Sequence, residues 1–302
     1  MAEVLRGAGP ATEEGMGDQA AGLRRMFGRR APQVVAFTAA RGGCGRTTLV
    51  VQTAVALAST GQRVLIVDEN QAANNALSCF GLKPRGDLFQ VLRGEQALEQ
   101  AVLSINPSLR ILPAARAARE LEHADRSAAA AWGKLGPCLR GLQREVDFIL
   151  LDTAVRRGGH LSPLALAARH MAIIVAAQST AITQAYAMIK KIAQERGREG
   201  FQVAITHPRT LKEGQAIFDN MQRLARDQLG ISLGYLGASM APSSENLANA
   251  LVRQLPPVFD ESGFAGMDTR QASLTTAAGV ASTTVRSLGR SGHGTGQPET
   301  MV

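Results

Sequence analysis

Apolar residues along this chain keep two rhythms. Short, nearly unbroken apolar runs recur, each closed by a polar or glycine-rich stretch. They are Val34-Val-Ala-Phe-Thr-Ala-Ala40, Arg63-Val-Leu-Ile-Val-Asp68, Arg110-Ile-Leu-Pro-Ala-Ala115, Asp147-Phe-Ile-Leu-Leu-Asp152, Met171-Ala-Ile-Ile-Val-Ala-Ala177, Phe201-Gln-Val-Ala-Ile-Thr-His207 and a stretch around Ile231 to Leu236. Such runs read as strands buried on both faces, the habit of a parallel sheet. Between them lie segments with helical apolar spacing: Thr48 to Ala58, residues 117 to 143 with a break at Gly136-Pro137, Ser179 to Lys190, Glu213 to Gln228, and Ser243 to Leu255 ahead of Pro256-Pro257. Strand and helix in alternation predict an α/β fold, a mostly parallel sheet with helices on both faces. Trp132, inside the interrupted helix, reads as packing.

The ends follow neither rhythm. Residues 1 to 16 are small, polar and glycine-containing, and are expected to be disordered. In residues 17 to 30, Asp18 can cap a short helix that places Leu23, Met26 and Phe27 on one side, with Arg24, Arg25, Arg29 and Arg30 near its C-terminal end. A helix of two or three turns is marginal alone in water, so it needs a surface to fold against. Ala31-Pro32 ends it and opens a domain spanning 31 to 258; residues 259 to 302, rich in Ser, Thr, Gly and Ala, read as a disordered tail.

The candidate chemistry sits where the first strand meets the first helix, Ala39-Ala-Arg-Gly-Gly-Cys-Gly-Arg-Thr-Thr48. Gly42, Gly43 and Gly45 permit torsions closed to other residues, so successive amides can converge on a phosphate at a positive helix end. Thr47 would offer a hydroxyl to Mg2+. A glycine-rich loop alone could be a structural turn; the apolar run before it and the helix after it favour the phosphate loop. Two strands then deliver carboxylates, Asp68 and Asp152, to the carboxyl edge of the sheet, where open α/β sheets place ligands.

Charge and cysteines add little. The formal net charge of +8 invites nucleic acid or an anionic membrane. Yet only Lys83, Lys134, Lys190, Lys191 and Lys212 are lysine among 33 basic residues, and aromatics make up 4%, so the charge reflects arginine usage and nucleic acid is not an expected partner. Cys44, Cys79 and Cys138 have neither paired nor metal-ligand spacing. The start carries Glu3, Glu13 and Glu14 and no apolar block, so the chain is expected to stay in the cytoplasm.

The loop resembles the deviant Walker A motif of the MinD/ParA class of P-loop ATPases, Lys-Gly-Gly-x-Gly-Lys-Thr-Thr. Within that class the chain resembles the FlhG family, also called FleN or YlxH, regulators of flagellar number and placement. Residues 18 to 24, Asp-Gln-Ala-Ala-Gly-Leu-Arg, match the family's Asp-Gln-Ala-x-x-Leu-Arg helix. Ser179-Thr-Ala-Ile-Thr-Gln-Ala-Tyr-Ala-Met-Ile-Lys190 follows a family segment almost position by position, and Asn74 to Leu82, Asp87 to Gly94 and the Pro113-Ala-Ala115 ending agree in spacing.

The resemblance implies ATP and Mg2+ as cofactors. Nucleotide contacts are then expected from Gly42, Gly43, Cys44, Gly45, Arg46, Thr47, Thr48 and Thr206, and metal contacts from Thr47, Asp68 and Asp152. It implies a partner, the signal-recognition-particle-type GTPase FlhF, contacted by Asp18, Gln19, Ala20, Leu23 and Arg24, with Gln19 entering the partner's active site. It also implies a homodimer, membrane association through partners, and a place at the cell pole or membrane periphery.

Four departures bear on catalysis. Arg41 and Arg46 stand where the family has lysine, and Asn70 where it has the aspartate that activates water. Thr206 stands in place of an adenine-reading asparagine. Asn cannot take a proton at neutral pH, so the base is missing unless Glu69 swings in. Arg46 should crowd the phosphate position, whereas Arg41 could still act across a dimer as arginine fingers do. Val155-Arg-Arg-Gly-Gly159 also departs from the family's Ala-Gly continuation. The expectation is a flagellar regulator whose P-loop domain binds ATP but hydrolyses it weakly or not at all. The alternatives are a working ATPase switch with ATP-dependent dimerisation, and a ParA-like partition ATPase.

Overall fold

The computed structural model describes residues 32–120, 145–154 and 160–240, together with Lys134, Cys138, Leu251 and Leu255. The Asp18 to Arg24 segment, the stretch 155–159, most of the expected helices over 117–143 and 243–255, and the tail lie outside the described residues.

Each apolar run becomes a strand. In chain order these are β1 (Gln33–Thr38), β2 (Val64–Asp68), β3 (Leu103–Asn106), β4 (Leu109–Pro113), β5 (Phe148–Asp152), β6 (His170–Ala176), β7 (Gly200–Thr206) and β8 (Ser232–Ser239). They form one sheet in the order β3-β4-β2-β5-β1-β6-β7-β8. All neighbours are parallel except β3, which pairs antiparallel with β4 at the edge. β3 escapes the sequence reading because it is short and alternates half-buried with exposed residues. The central strands β1, β2 and β5 are buried at every position, because helices cover both faces.

The described helices are α1 (Arg46–Ser59), α2 (Ala76–Cys79), α3 (Leu88–Arg93), α4 (Leu98–Ala101), α5 (Ala115–Glu120), α6 (Pro163–Ala167), α7 (Ser179–Arg196) and α8 (Leu211–Leu229). Strand alternation divides them. Val35 and Phe37 of β1 face α1 through Leu49, Val50, Ala54 and Leu57, and the buried Leu251 and Leu255 join this side. Val34 and Ala36 face the other way, against Leu88, Leu92, Ala117 and Leu164. On that same side Met171, Ile173 and Val175 pack on α7 and α8 through Ile189, Ile192, Phe218 and Met221. Register then sets the site: Asp68 pairs with Asp152 and Asp152 with Phe37, so both carboxylates end adjacent central strands beside the loop that follows β1.

Candidate functional site

The loop from Ala39 to Gly45 turns with Gly43 at φ 76° and Gly45 at φ 81°, left-handed torsions that a Cβ would strain. A Cβ at Gly45 would also lie 3.4 Å from the His207 ring. Gly45 is the N-cap of α1 and supplies no side-chain cap, and the first turn holds no acidic residue. An uncapped helix start of this kind is where anions bind. Gly42 and Gly43 are exposed and face open space, and Arg41 and Thr48 are exposed beside them. Cys44 is buried, which pushes its thiol above the usual range.

Arg46 points inward. It is 6% exposed, and its Nε donates to Oδ1 of the fully buried Asp152 in a charge-assisted bond. Thr47 Oγ1 donates to the second oxygen, Asp152 Oδ2, at 2.7 Å. Asn70 Nδ2 donates to Thr47 Oγ1 at 3.0 Å, while Asn70 Oδ1 accepts from the Ala72 amide at 3.0 Å. The amides of Asn70 and Leu77 donate to the two oxygens of Asp68, at 3.0 and 3.1 Å. Burial, and next the neighbouring Asp152, push the Asp68 carboxyl up to about 6. Arg46, Thr47, Asp68, Asn70 and Asp152, separated by up to 106 positions in sequence, thus form one connected set.

Two residues take roles the sequence reading does not give them. Thr206 is 3% exposed, and its hydroxyl donates to the Cys44 carbonyl at 2.8 Å. It fastens the phosphate loop to the end of β7. Glu69 does not swing toward the loop. It is fully buried and accepts from Ser162 Oγ at 2.6 Å and the Ala154 amide at 3.4 Å. Ser162 itself went unread, although Ser-Pro at 162–163 signals the start of a helix; it caps α6 through the Ala165 amide at 3.0 Å. Thr153 likewise ties β5 to β1 through the Phe37 carbonyl at 2.9 Å.

Two cavities lie elsewhere. One of about 670 Å³, between Lys83, Arg85, Glu99 and Leu103, borders the edge strand β3. One of about 320 Å³, between Arg169, His170, Arg198 and Gln202, opens at the amino edge of β6 and β7. Among the described residues no helix is long and apolar enough to cross a membrane.

Comparison with known proteins gives the geometry its context. Residues 32–203 match the family model described as "AAA domain". The chain is 28% identical over 232 residues to the antiactivator FleN of Pseudomonas aeruginosa, covering 77% of this chain and 81% of that one. It is 28% identical over 207 residues to the flagellum site-determining protein YlxH of Helicobacter pylori, covering 68% of each. Among solved structures, a plasmid partition protein of Borrelia burgdorferi bound to AMPPNP superposes with a TM-score of 0.58 at 14% identity, over 75% of this chain and all of that one. With its eight-stranded sheet, its deviant phosphate loop and these relatives, the chain belongs to the AAA domain family and, within it, to the FlhG (FleN/YlxH) group of MinD/ParA-like P-loop proteins.

Proposed function

We propose that this chain is a flagellar number and placement regulator of the FlhG type. It acts through Asp18, Gln19, Ala20, Leu23 and Arg24 on an FlhF-type GTPase. Its P-loop domain holds a nucleotide and turns it over weakly or not at all. The likeness to the flagellum site-determining protein YlxH, and to FleN of the same group, supports the flagellar role. The AMPPNP-bound structural neighbour supports nucleotide at the loop, as do the left-handed Gly43 and Gly45 and the uncapped start of α1.

The observation that carries weak turnover is the buried Arg46–Asp152 pair, with Asn70 beside it on Thr47. A base has to reach the proton it removes and accept it. Asn70 reaches the site but has no such capacity, and the nearby carboxylate of Glu69 is held by Ser162 and Ala154. In this reading the protein works in the cytoplasm, at the pole or the membrane periphery, and reaches the membrane through partners. Homodimerisation is carried by the same face as the loop, with exposed Arg41 available to the second copy.

Two measurements test the proposal. Phosphate release from Mg-ATP by the full-length chain is expected far below the rate of working MinD-like enzymes; a class-typical rate that Asn70→Ala abolishes would establish the ATPase-switch reading instead. Stimulation of FlhF GTP hydrolysis is expected from the wild type and is expected to disappear in Gln19→Ala with the fold intact. Stimulation that survives the substitution removes the partner assignment.

A further inference from the structure

We infer that the Arg46 guanidinium takes the place of the divalent metal at this site, so that the chain binds a nucleotide polyphosphate without Mg2+. The inference rests on the reading of the loop as a nucleotide site and adds the chemical form of the ligand: free ATP or ADP, not the magnesium chelate.

The two halves of the site differ in what they offer. The loop half is built for an anion, with an open face at Gly42 and Gly43 and the uncapped start of α1. In the metal half each of the oxygens of Asp68, Asp152 and Thr47 already accepts a hydrogen bond. Mg2+ demands oxygen lone pairs in near-octahedral array and gives up water reluctantly. Here Asp152 Oδ1 accepts from Arg46 and Oδ2 from Thr47, so the Thr47 proton is directed at Asp152 and one of its two lone pairs at Asn70 Nδ2. Asp68 accepts from the amides of Asn70 and Leu77.

An ion arriving at Asp152 therefore has to displace a buried, permanently charged group. Arginine suits this position better than lysine would. Its charge is spread over a planar fork and is more weakly hydrated, so it tolerates burial against a carboxylate. Free nucleotide also brings more negative charge to the loop than its chelate does, which favours the metal-free form wherever the protein supplies the cation itself.

The test is calorimetric titration of the full-length wild-type chain with ATP and with ADP, once in EDTA and once in excess Mg2+. Binding in EDTA is expected, with affinities in the two buffers agreeing within about threefold. Arg46→Lys, which restores the compact ammonium, is expected to make ATP binding depend on Mg2+ by about tenfold or more. A wild type whose affinity rises about tenfold on adding Mg2+, or that binds no nucleotide in EDTA, overturns the inference. An Arg46→Lys chain as indifferent to Mg2+ as the wild type overturns the role given to Arg46.

Phosphate release and FlhF stimulation, read on the same preparations, separate this failure from that of the proposed function. Mg2+-dependent binding without turnover overturns the inference alone; no nucleotide binding with FlhF stimulation intact overturns the inference together with the nucleotide half of the proposed function and leaves its partner half standing. Mg2+-dependent binding with class-typical turnover overturns both.

Discussion

At the carboxyl edge of the sheet a buried cation and a buried carboxylate answer one another; at the amino edge a half-buried cation is answered by backbone. Arg46 and Asp152, 6% and 0% exposed, form an ion pair that joins the first helix to a strand 106 residues away. At the other end of β6, Arg198 donates to three carbonyls, Leu166 at 3.4 Å, Ala168 at 2.6 Å and Arg169 at 3.0 Å, and so closes the C-terminal end of α6. Burial pushes the Arg198 guanidinium below its ordinary value. Beside it His170 Nε2 meets Gln33 Oε1 at 2.9 Å. Both edges are satisfied, but only at the carboxyl edge does the removal of one side chain leave an opposite charge stranded. That edge is where open α/β sheets bind their ligands. The amino edge holds the frame.

The largest expected effect breaks the pair. Asp152→Ala strands Arg46 in the core and is expected to cost about 3–5 kcal/mol in urea unfolding, since removing one partner of a buried pair leaves an uncompensated charge. Replacing both partners with apolar residues of similar volume, Arg46→Met with Asp152→Leu, is expected to recover most of that loss. A double variant as unstable as the single one would show that the destabilisation comes from lost packing and not from charge. Arg198→Ala is expected to cost less, about 1–3 kcal/mol, because it removes hydrogen bonds to carbonyls that water can reach in part. Its nucleotide binding should be unchanged, since it lies at the opposite edge. A loss of nucleotide affinity in Arg198→Ala would erase the division between a ligand edge and a frame edge.

A smaller effect concerns the fastening of the loop. Thr206→Val keeps the shape and deletes the bond to the Cys44 carbonyl, for an expected cost of about 0.5–1.5 kcal/mol by thermal unfolding. Preference for ATP over GTP is expected to stay the same, because the hydroxyl is directed at the loop. A changed preference would return Thr206 to the base-reading role that its place in sequence suggests.

Thr206 and Glu69 mark where the sequence stops being readable. The strands were legible because burial on both faces leaves an unbroken apolar run, and the loop because its glycines have torsions few residues share. Asp68 and Asp152 were legible as the polar residues that close such runs. The direction in which a polar side chain turns is another matter. Asn70, Thr206 and Glu69 all sit at strand ends beside the loop; one reaches Thr47, one turns under the loop to Cys44, and one is buried against Ser162. The parity of the last strand residue and the partner offered by a distant segment decide among these, and neither is written locally. Arg46 shows the same limit. Its identity announces a departure, but only the proximity of β5 shows that the guanidinium has a carboxylate to turn to.

The smallest effect tests the amino edge through pH. Burial, with Arg169 and Arg198 adding to it, holds the His170 imidazole down to about 4, from an ordinary value of 6.5. Glu199 shares the cavity, and Gln33 faces the ring. Between about 6.5 and about 4 the unfolded chain therefore binds a proton at this position that the folded chain refuses, so stability is lost as pH falls through that window. Asp68 works in the opposite sense. Its folded carboxyl titrates at about 6 against 3.8, so the folded chain holds the extra proton and gains stability as pH falls from about 6 toward 3.8. The two slopes oppose each other, and the total curve hides both. The difference between wild type and His170→Gln isolates one, because the Asp68 contribution is common to both chains. Unfolding midpoints measured at pH 7 and at about pH 4.5 are expected to show the wild type losing ground to the variant on acidification. A difference that stays constant would mean that the ring accepts its proton in the folded state as readily as in the unfolded one.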